Sequence, residues 1–121
     1  MNVVPFQLIS QQLDPCVVVK WSLKDGEVGA RYCVPGPARA TVQVLGAFGV
    51  SGRVDMRGSL LTEPGEDEWF TVRTPTFMTG VSFFAPGGSA VQETVKSFSP
   101  IVAQGSGVQV DVYLLVALGK E

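Results

Sequence analysis

Alternation of apolar and polar residues with a period of two is the feature that most constrains this chain. In CVVVKWSL, Val17, Val19, Trp21 and Leu23 share one face, and polar residues occupy much of the other. The same alternation recurs in ATVQVLGAFG, GRVDMRGSL and GVQVDVYLLVALG. A period of two is typical of a β-strand with one buried face, so the sequence predicts an all-β fold.

Turn signals separate these strands at short intervals. Asp25-Gly26 predicts a two-residue hairpin, and Pro35-Gly36-Pro37 ends a strand. Gly46 and Gly49 indicate a bulge or a sharp turn. Turns spaced about eight to twelve residues apart are typical of a sandwich or barrel.

One segment favours a helical turn, because Ser89 and Gln92 have the spacing of a capping box. The prediction is a single-domain β-sandwich or jelly-roll-like barrel of about seven to eight antiparallel strands, with at most one short helix. Residues 1–14 are predicted to form an N-terminal arm, and residues 15–121 the sandwich domain.

Composition excludes several classes of protein. With 45% hydrophobic and 17% charged residues, the chain is too apolar for a disordered protein. Its net charge is -2 and its Lys and Arg residues are scattered, so we expect no nucleic-acid partner. No apolar stretch approaches the ~20 residues of a membrane span, so we expect no membrane partner.

The N-terminal segment MNVVPFQLISQQLDP lacks the basic region of a signal peptide, so we expect no secretion and a reducing compartment. In that compartment Cys16 and Cys33 are expected to be reduced, half-buried thiols. A single disulfide between them is the alternative.

Histidine is absent from the chain, which removes the usual base of serine and cysteine nucleophiles and most zinc sites. The glycines of GAFGVSG connect two predicted strands, whereas a phosphate-binding loop precedes a helix. We therefore predict no enzyme activity, no catalytic residue and no cofactor.

Four carboxylates, those of Glu63, Glu66, Asp67 and Glu68, crowd into RVDMRGSLLTEPGEDEWFTV. A catalytic pair would need two rigidly held carboxyl groups across a cleft, and a Pro-Gly loop provides no such frame. Calcium suits clustered carboxylates better, but EPGEDE lacks the interleaved Asp and Gly of calcium loops. The prediction is a solvated hairpin tip and no metal, with calcium as the alternative.

Two aromatic pairs, Trp69-Phe70 and Phe83-Phe84, raise a packing question. Adjacent strand residues point to opposite faces, so only one residue of a pair can enter a core between two sheets. Core packing is the default expectation for both pairs, with one of Trp69 or Phe70 in the core. A binding role for the exposed aromatic is the alternative.

The closing strand and the N-terminus supply candidate interface residues. The strand becomes apolar on both faces, which indicates cover on both sides, either within a sandwich or from another subunit. The arm is too apolar to be left in water and is expected to lie on a neighbour. The predicted interface residues are Val3, Val4, Phe6, Leu8, Ile9, Trp69, Tyr113, Leu115 and Ala117.

Two long stretches carry a resemblance to a known class of proteins. GRVDMRGSLLTEPGEDEWFTV contains a strand, Gly58-Ser59, an acidic glycine loop and Trp69 before the next strand. FFAPGGSAVQETVKSFSPIVAQGSGVQVDVYLLVALG contains a Phe strand, a glycine corner, an aromatic-Pro strand and a long aliphatic strand. Together they resemble small β-sandwich structural proteins of tailed bacteriophages, including capsid decoration (cement) proteins and head or neck components.

This resemblance implies a virion structural protein that stabilises the head by bridging capsomers. The implied location is the capsid surface, after synthesis in the host bacterial cytoplasm. The implied partners are the major capsid protein or other virion proteins and copies of the same chain, with a homotrimer expected. A neck or tail component is one alternative. The Gly-Ser, acidic-loop and Trp pattern also resembles discoidin-type jelly rolls, which implies a carbohydrate- or host-surface-binding module as another.

Overall fold

The chain is a sandwich of two β-sheets, as the alternation predicted. The computed structural model describes residues 2–10, 16–34, 38–75 and 78–118, and only the backbone of Ser10 and Leu118. Its strands are β1 (Val3–Val4), β2 (Gln7–Ser10), β3 (Cys16–Lys24), β4 (Val28–Gly29), β5 (Tyr32–Cys33), β6 (Ala38–Ala47), β7 (Val50–Ser59), β8 (Phe70–Thr71), β9 (Ser82–Phe83), β10 (Gly87–Ala90), β11 (Ser97–Ser106) and β12 (Gln109–Leu118).

The two sheets differ in regularity. The five-stranded sheet has the order β10-β6-β12-β3-β2. The seven-stranded sheet has the order β1-β4-β11-β7-β8, with β5 also paired to β11 and β9 to β7. Several two-residue strands bring the number above the predicted seven to eight. The pairs are antiparallel except that β1 runs parallel to β4, which the sequence prediction missed.

The core lies between the sheets and is built from the inward residues of the long strands. β12 is central in the five-stranded sheet, so its inward side chains are fully covered. The largest fully buried side chains include Trp21, Leu23, Val42, Met56, Val72, Val112 and Leu114. The period-two alternation places these residues correctly in the core, except Val72, which lies two positions after the exposed Phe70.

The chain crosses between the sheets at tight turns. At Gly49, between β6 and β7, the φ angle is +60°, and an added Cβ would collide with the carbonyl oxygen of Ser106. At Asp25-Gly26 a turn forms, with the Glu27 N–H donating to the Lys24 carbonyl at 3.1 Å. The predicted hairpin is nevertheless wrong, because β3 and β4 belong to different sheets. The turn is a corner of the sandwich.

The segment predicted to hold a helical turn begins as the end of β10, and residues 91–95 have no regular secondary structure. Ser89 pairs with Val42 of β6, and its hydroxyl donates to the Ala90 carbonyl instead of capping a helix. Pairing with the free edge of β6 supplies the backbone hydrogen bonds that a short isolated turn would leave unmade. In the described part of the chain, the single helical element is a 3-10 turn at Glu66–Glu68.

Residues 2–10 of the predicted arm lie on the chain's own sandwich. β1 extends the seven-stranded sheet and β2 the five-stranded sheet. Between them, Phe6 packs edge-to-face on Trp21 and Tyr32, with centroid distances of 6.1 and 5.3 Å. The N-terminal segment thus contributes an edge strand to each sheet. Met1 and residues 11–14 of the predicted arm lie outside the described residues.

Candidate functional site

The outer face of the seven-stranded sheet carries a polar pair on neighbouring strands. Arg57 of β7 lies directly opposite Ser99 of β11. An Arg57 NH2 group donates to the Ser99 Oγ at 2.8 Å, and the Arg57 Nε donates to the Ser99 carbonyl at 3.3 Å. The buried Ser99 hydroxyl in turn donates to the Gly29 carbonyl at 2.7 Å. These bonds fix the guanidinium group against the sheet.

Trp69 covers this guanidinium group. The Arg57 Cζ atom lies 4.9 Å from the centroid of the Trp69 ring, within range of a cation-π interaction. Burial lowers the pKa of Arg57 from its ordinary value, and the negative charges of Asp55 and Glu66 oppose that shift. The guanidinium is thus partly desolvated and held between an aromatic ring and a serine.

The acidic loop is folded onto the same face. The Ser97 hydroxyl donates to the Leu61 carbonyl at 2.8 Å, and the Leu61 N–H donates to the Ser59 hydroxyl at 3.2 Å. Farther along, the Gly65 N–H donates to the Glu68 carboxylate at 2.7 Å, which closes the 3-10 turn. The loop is therefore anchored to the sheet by buried serines.

The four predicted loop acids are exposed, as expected of a solvated tip. β7 and β8 pair on either side of the loop, at Arg57 with Thr71 and Gly58 with Phe70. The tip is folded back on the sheet instead of projecting from it. Among residues with described placement, no group of three or more His, Cys, Asp or Glu side chains could hold a metal ion.

A cavity of about 370 Å³ opens between this loop and the sheet. Its polar lining comes from Arg31, Arg57, Glu66, Asp67 and Ser99. Its apolar lining includes Trp69, Pro64, Val28 and Val3. The arm, two strands and the acidic loop thus contribute to one concave site.

A second surface lies on the outer face of the five-stranded sheet. Leu115 of β12 sits between Val18 of β3 and Thr41 of β6, and Ala117 sits between Cys16 and Arg39. Leu115 is 38% exposed, and Cys16, Val18, Tyr113 and Ala117 around it are half-buried. We call Cys16, Val18, Tyr113, Leu115 and Ala117 the apolar patch.

The other end of that face is polar. Lys20 lies over the Tyr113 ring, with its Nζ atom 5.7 Å from the centroid. The Asp111 carboxylate accepts a hydrogen bond from the Ser22 hydroxyl at 2.8 Å and lies 3.8 Å from Lys20 Nζ. The closing strand therefore changes from polar to apolar along its outer side, as its sequence predicted.

The predicted interface residues divide between separate surfaces. Trp69 and Val3 line the cavity, whereas Tyr113, Leu115 and Ala117 belong to the apolar patch on the other sheet. Val4 and Phe6 are partly buried against the core. Leu8 and Ile9 lie on the edge strand β2, and each is 49% exposed. Arg57 and Ser99 were not predicted; the signal was their place on the outer face of strands rich in polar residues.

The two aromatic pairs differ in whether one of their members enters the core. Trp69 is half-buried at the cavity and Phe70 is 41% exposed, so the prediction that one of them enters the core is wrong. β8 pairs with β7 for only two residues, and Val72 fills the core position that follows it. Phe83 is in the core and Phe84 is 63% exposed, as the alternation requires. Cys16 and Cys33 are free thiols.

Comparison with known proteins identifies no family. No family model and no curated protein matches the chain. One similar solved structure is a conserved protein of unknown function from Streptococcus pyogenes, with 13% identity, a TM-score of 0.47, and coverage of 98% of this chain and 82% of that one. Another is a cupin domain from Bordetella pertussis Tohama I, with 9% identity, a TM-score of 0.45, and coverage of 99% of both chains.

No helix within the described ranges is long and apolar enough to cross a membrane.

Proposed function

We propose that this protein is a structural component of a tailed-phage virion, namely a capsid decoration protein that assembles as a homotrimer and performs no catalysis. The observation that carries the proposal is the apolar patch around Leu115. It supports an assembly role because its members are adjacent by strand register and lie on a rigid sheet.

Burial of apolar surface stabilises an interface by about 25 cal/mol per Å². A sheet face loses little conformational entropy on docking because its backbone is already ordered. Repetition of such a contact over many copies would strengthen a capsid without any chemical step.

The edge strands support the same role. β2 and β10 are the outer strands of the five-stranded sheet, and β2 exposes Leu8 and Ile9. Exposed edges with apolar side chains favour pairing with another chain. An assembly that covers the apolar patch would lie next to this edge. The partners proposed are copies of this chain and the major capsid protein.

Light scattering tests self-assembly with the variant Leu115→Asp. A charge in the centre of the apolar patch should reduce the oligomer to the 12.9 kDa chain. The control is Leu60→Asp, because Leu60 is 71% exposed in the loop on the other sheet and its change should leave the mass unaltered. A monomeric wild-type protein, or an unchanged mass for Leu115→Asp, would contradict the proposed interface.

Co-sedimentation tests the capsid role. The wild-type protein should pellet with expanded empty capsids of the phage, and Leu115→Asp should remain in the supernatant. A wild-type protein that remains in the supernatant would overturn the decoration role. Immunogold labelling of whole particles then separates the head from the neck or tail, since a decoration protein labels the head surface.

A further inference from the structure

The cavity beneath the acidic loop has the composition of a ligand site, independently of any virion role. Two guanidinium groups, from Arg31 and Arg57, and two carboxylates, from Glu66 and Asp67, line it. Their formal charges cancel, so the cavity has no excess of positive charge to attract phosphate or another anion. It nevertheless offers charged hydrogen-bond donors and acceptors close together.

The donor side of the cavity is held in place before any ligand arrives. Arg57 has five N–H bonds, and its hydrogen bonds to Ser99 use the Nε and one NH2 nitrogen. The Trp69 ring packs against the same group, with its centroid 4.9 Å from the Arg57 Cζ atom. A donor whose rotamer is already fixed loses less entropy when it binds a ligand. The remaining N–H groups of Arg57 are therefore suited to bind an oxygen atom.

The acceptor side comes from the 3-10 turn. Glu66 and Asp67 lie in the turn closed by the Gly65 and Glu68 hydrogen bond. Their carboxylates are acceptors only, and they suit ligands with O–H groups. Hydrogen bonds from a hydroxyl to a carboxylate are among the stronger ones in proteins.

Apolar surface completes the site. The Trp69 ring, Pro64 and Val28 line the cavity beside these charges. A sugar ring presents hydroxyl groups around its rim and C–H bonds on its faces, which matches polar and apolar walls together. The volume of about 370 Å³ is at the small end of the range for small-molecule sites, roughly 300–1,000 Å³. We propose that the cavity binds an uncharged carbohydrate, as a single sugar residue or the end of a short oligosaccharide.

In the bound state, Glu66 and Asp67 accept hydrogen bonds from sugar hydroxyls, and Arg57 donates to a sugar oxygen. The Trp69 edge and Pro64 contact the C–H groups. This assignment goes beyond the proposed virion role and does not depend on it. The apolar patch and the cavity lie on opposite sheets, so each can be removed without the other.

The test uses the full chain on an array of neutral, sialylated and sulfated oligosaccharides. Binding is expected to a subset of the neutral members. The best neutral member is then titrated by calorimetry against wild type and Asp67→Asn, an isosteric change in an exposed loop residue. Affinity should fall about tenfold, as expected for a lost charge-assisted hydrogen bond.

The matched control is Asp111→Asn, which makes the same chemical change on the opposite sheet and should bind within about twofold of wild type. Trp69→Ala tests the apolar wall and should also weaken binding; circular dichroism and a thermal melt confirm that each variant is folded. Preference for sialylated or sulfated members, absence of binding to every neutral member, or undiminished affinity of Asp67→Asn would each overturn the assignment. Loss of glycan binding with unchanged capsid co-sedimentation would leave the virion role intact.

Discussion

Asp25 is bonded to Val108 across 83 positions of sequence: the Val108 N–H donates to the Asp25 carboxylate at 2.6 Å. The Gly107 N–H donates to the second oxygen of the same carboxylate at 2.9 Å. One side chain thus joins the corner between β3 and β4 to the connection between β11 and β12. Both connections cross between the sheets, so this contact helps to close one end of the sandwich.

The Asp25 contact should make stability depend on pH. The hydrogen bonds from Gly107 and then Val108 lower the pKa of Asp25 below its ordinary value of 3.8. Because the folded state favours the charged carboxylate, its stabilising effect is fully present above pH 3.8 and is lost as the pH falls through the lowered pKa. Urea unfolding of wild type and Asp25→Ala should therefore show a gap in stability at pH 7 that narrows below pH 3.8. A gap of constant size would show that Asp25 acts through packing and not through its charge.

Loss of the small Ser99 hydroxyl should lower the stability of the fold measurably. Its buried hydroxyl donates to the Gly29 carbonyl and accepts from Arg57, so Ser99→Ala leaves two polar groups without that partner. The expected loss is about 1–3 kcal/mol of unfolding free energy. Ser106→Ala is the control, because Ser106 is exposed on the same strand and should change stability by less than about 0.5 kcal/mol. Equal effects of the two changes in urea titrations would contradict the proposed role of the Ser99 hydroxyl.

The alternation of apolar and polar residues was sufficient to predict residues of the core, but not the residues that meet at the cavity. Val42, Met56 and Leu114 are buried where a period of two places them, because that period is a property of a single strand. Arg57 and Ser99 meet only through the pairing of β7 with β11, a register that no local pattern contains. The hairpin predicted at Asp25-Gly26 was also wrong, because a tight turn has similar local chemistry in a hairpin and at a corner between sheets.

Gly29 should tolerate no side chain. A Cβ atom added there would lie 2.6 Å from the Trp21 Cδ1 atom and 2.8 Å from the Pro100 Cδ atom. Trp21 is fully buried and its Nε1 donates to the Ala30 carbonyl at 2.9 Å, so the ring cannot move away without losing that bond. Gly29→Ala is expected to cost about 1–3 kcal/mol in a urea titration, as overpacking does.

Gly65→Ala is the control for the Gly29 change. A Cβ atom at Gly65 would meet only the flexible end of Glu68, at 3.5 Å, and the φ angle of Gly65 is -76°. The effect on stability should be within about 0.5 kcal/mol. A loss at Gly29 no larger than the loss at Gly65 would mean that β4 can shift away from Trp21.

Phe6 should control the attachment of residues 2–10 to the sandwich. Its ring packs on Trp21 and Tyr32, and on either side β1 and β2 pair with β4 and β3. Truncation of a fully buried phenylalanine to alanine lowers the free energy of unfolding by about 3–5 kcal/mol. Because Phe6 is only half-buried, Phe6→Ala should lower it by about half as much. Amide hydrogen exchange provides a local measure, because the Ala30 N–H donates to the Val4 carbonyl at 2.7 Å. In Phe6→Ala the Ala30 amide should lose protection while that of Val112, in the centre of the other sheet, keeps it.

Leu8→Ala removes a half-exposed side chain from β2 and should leave the Ala30 amide protected. Equal loss of protection at Ala30 and Val112 would mean that Phe6 supports the whole sandwich and not only its N-terminal strands.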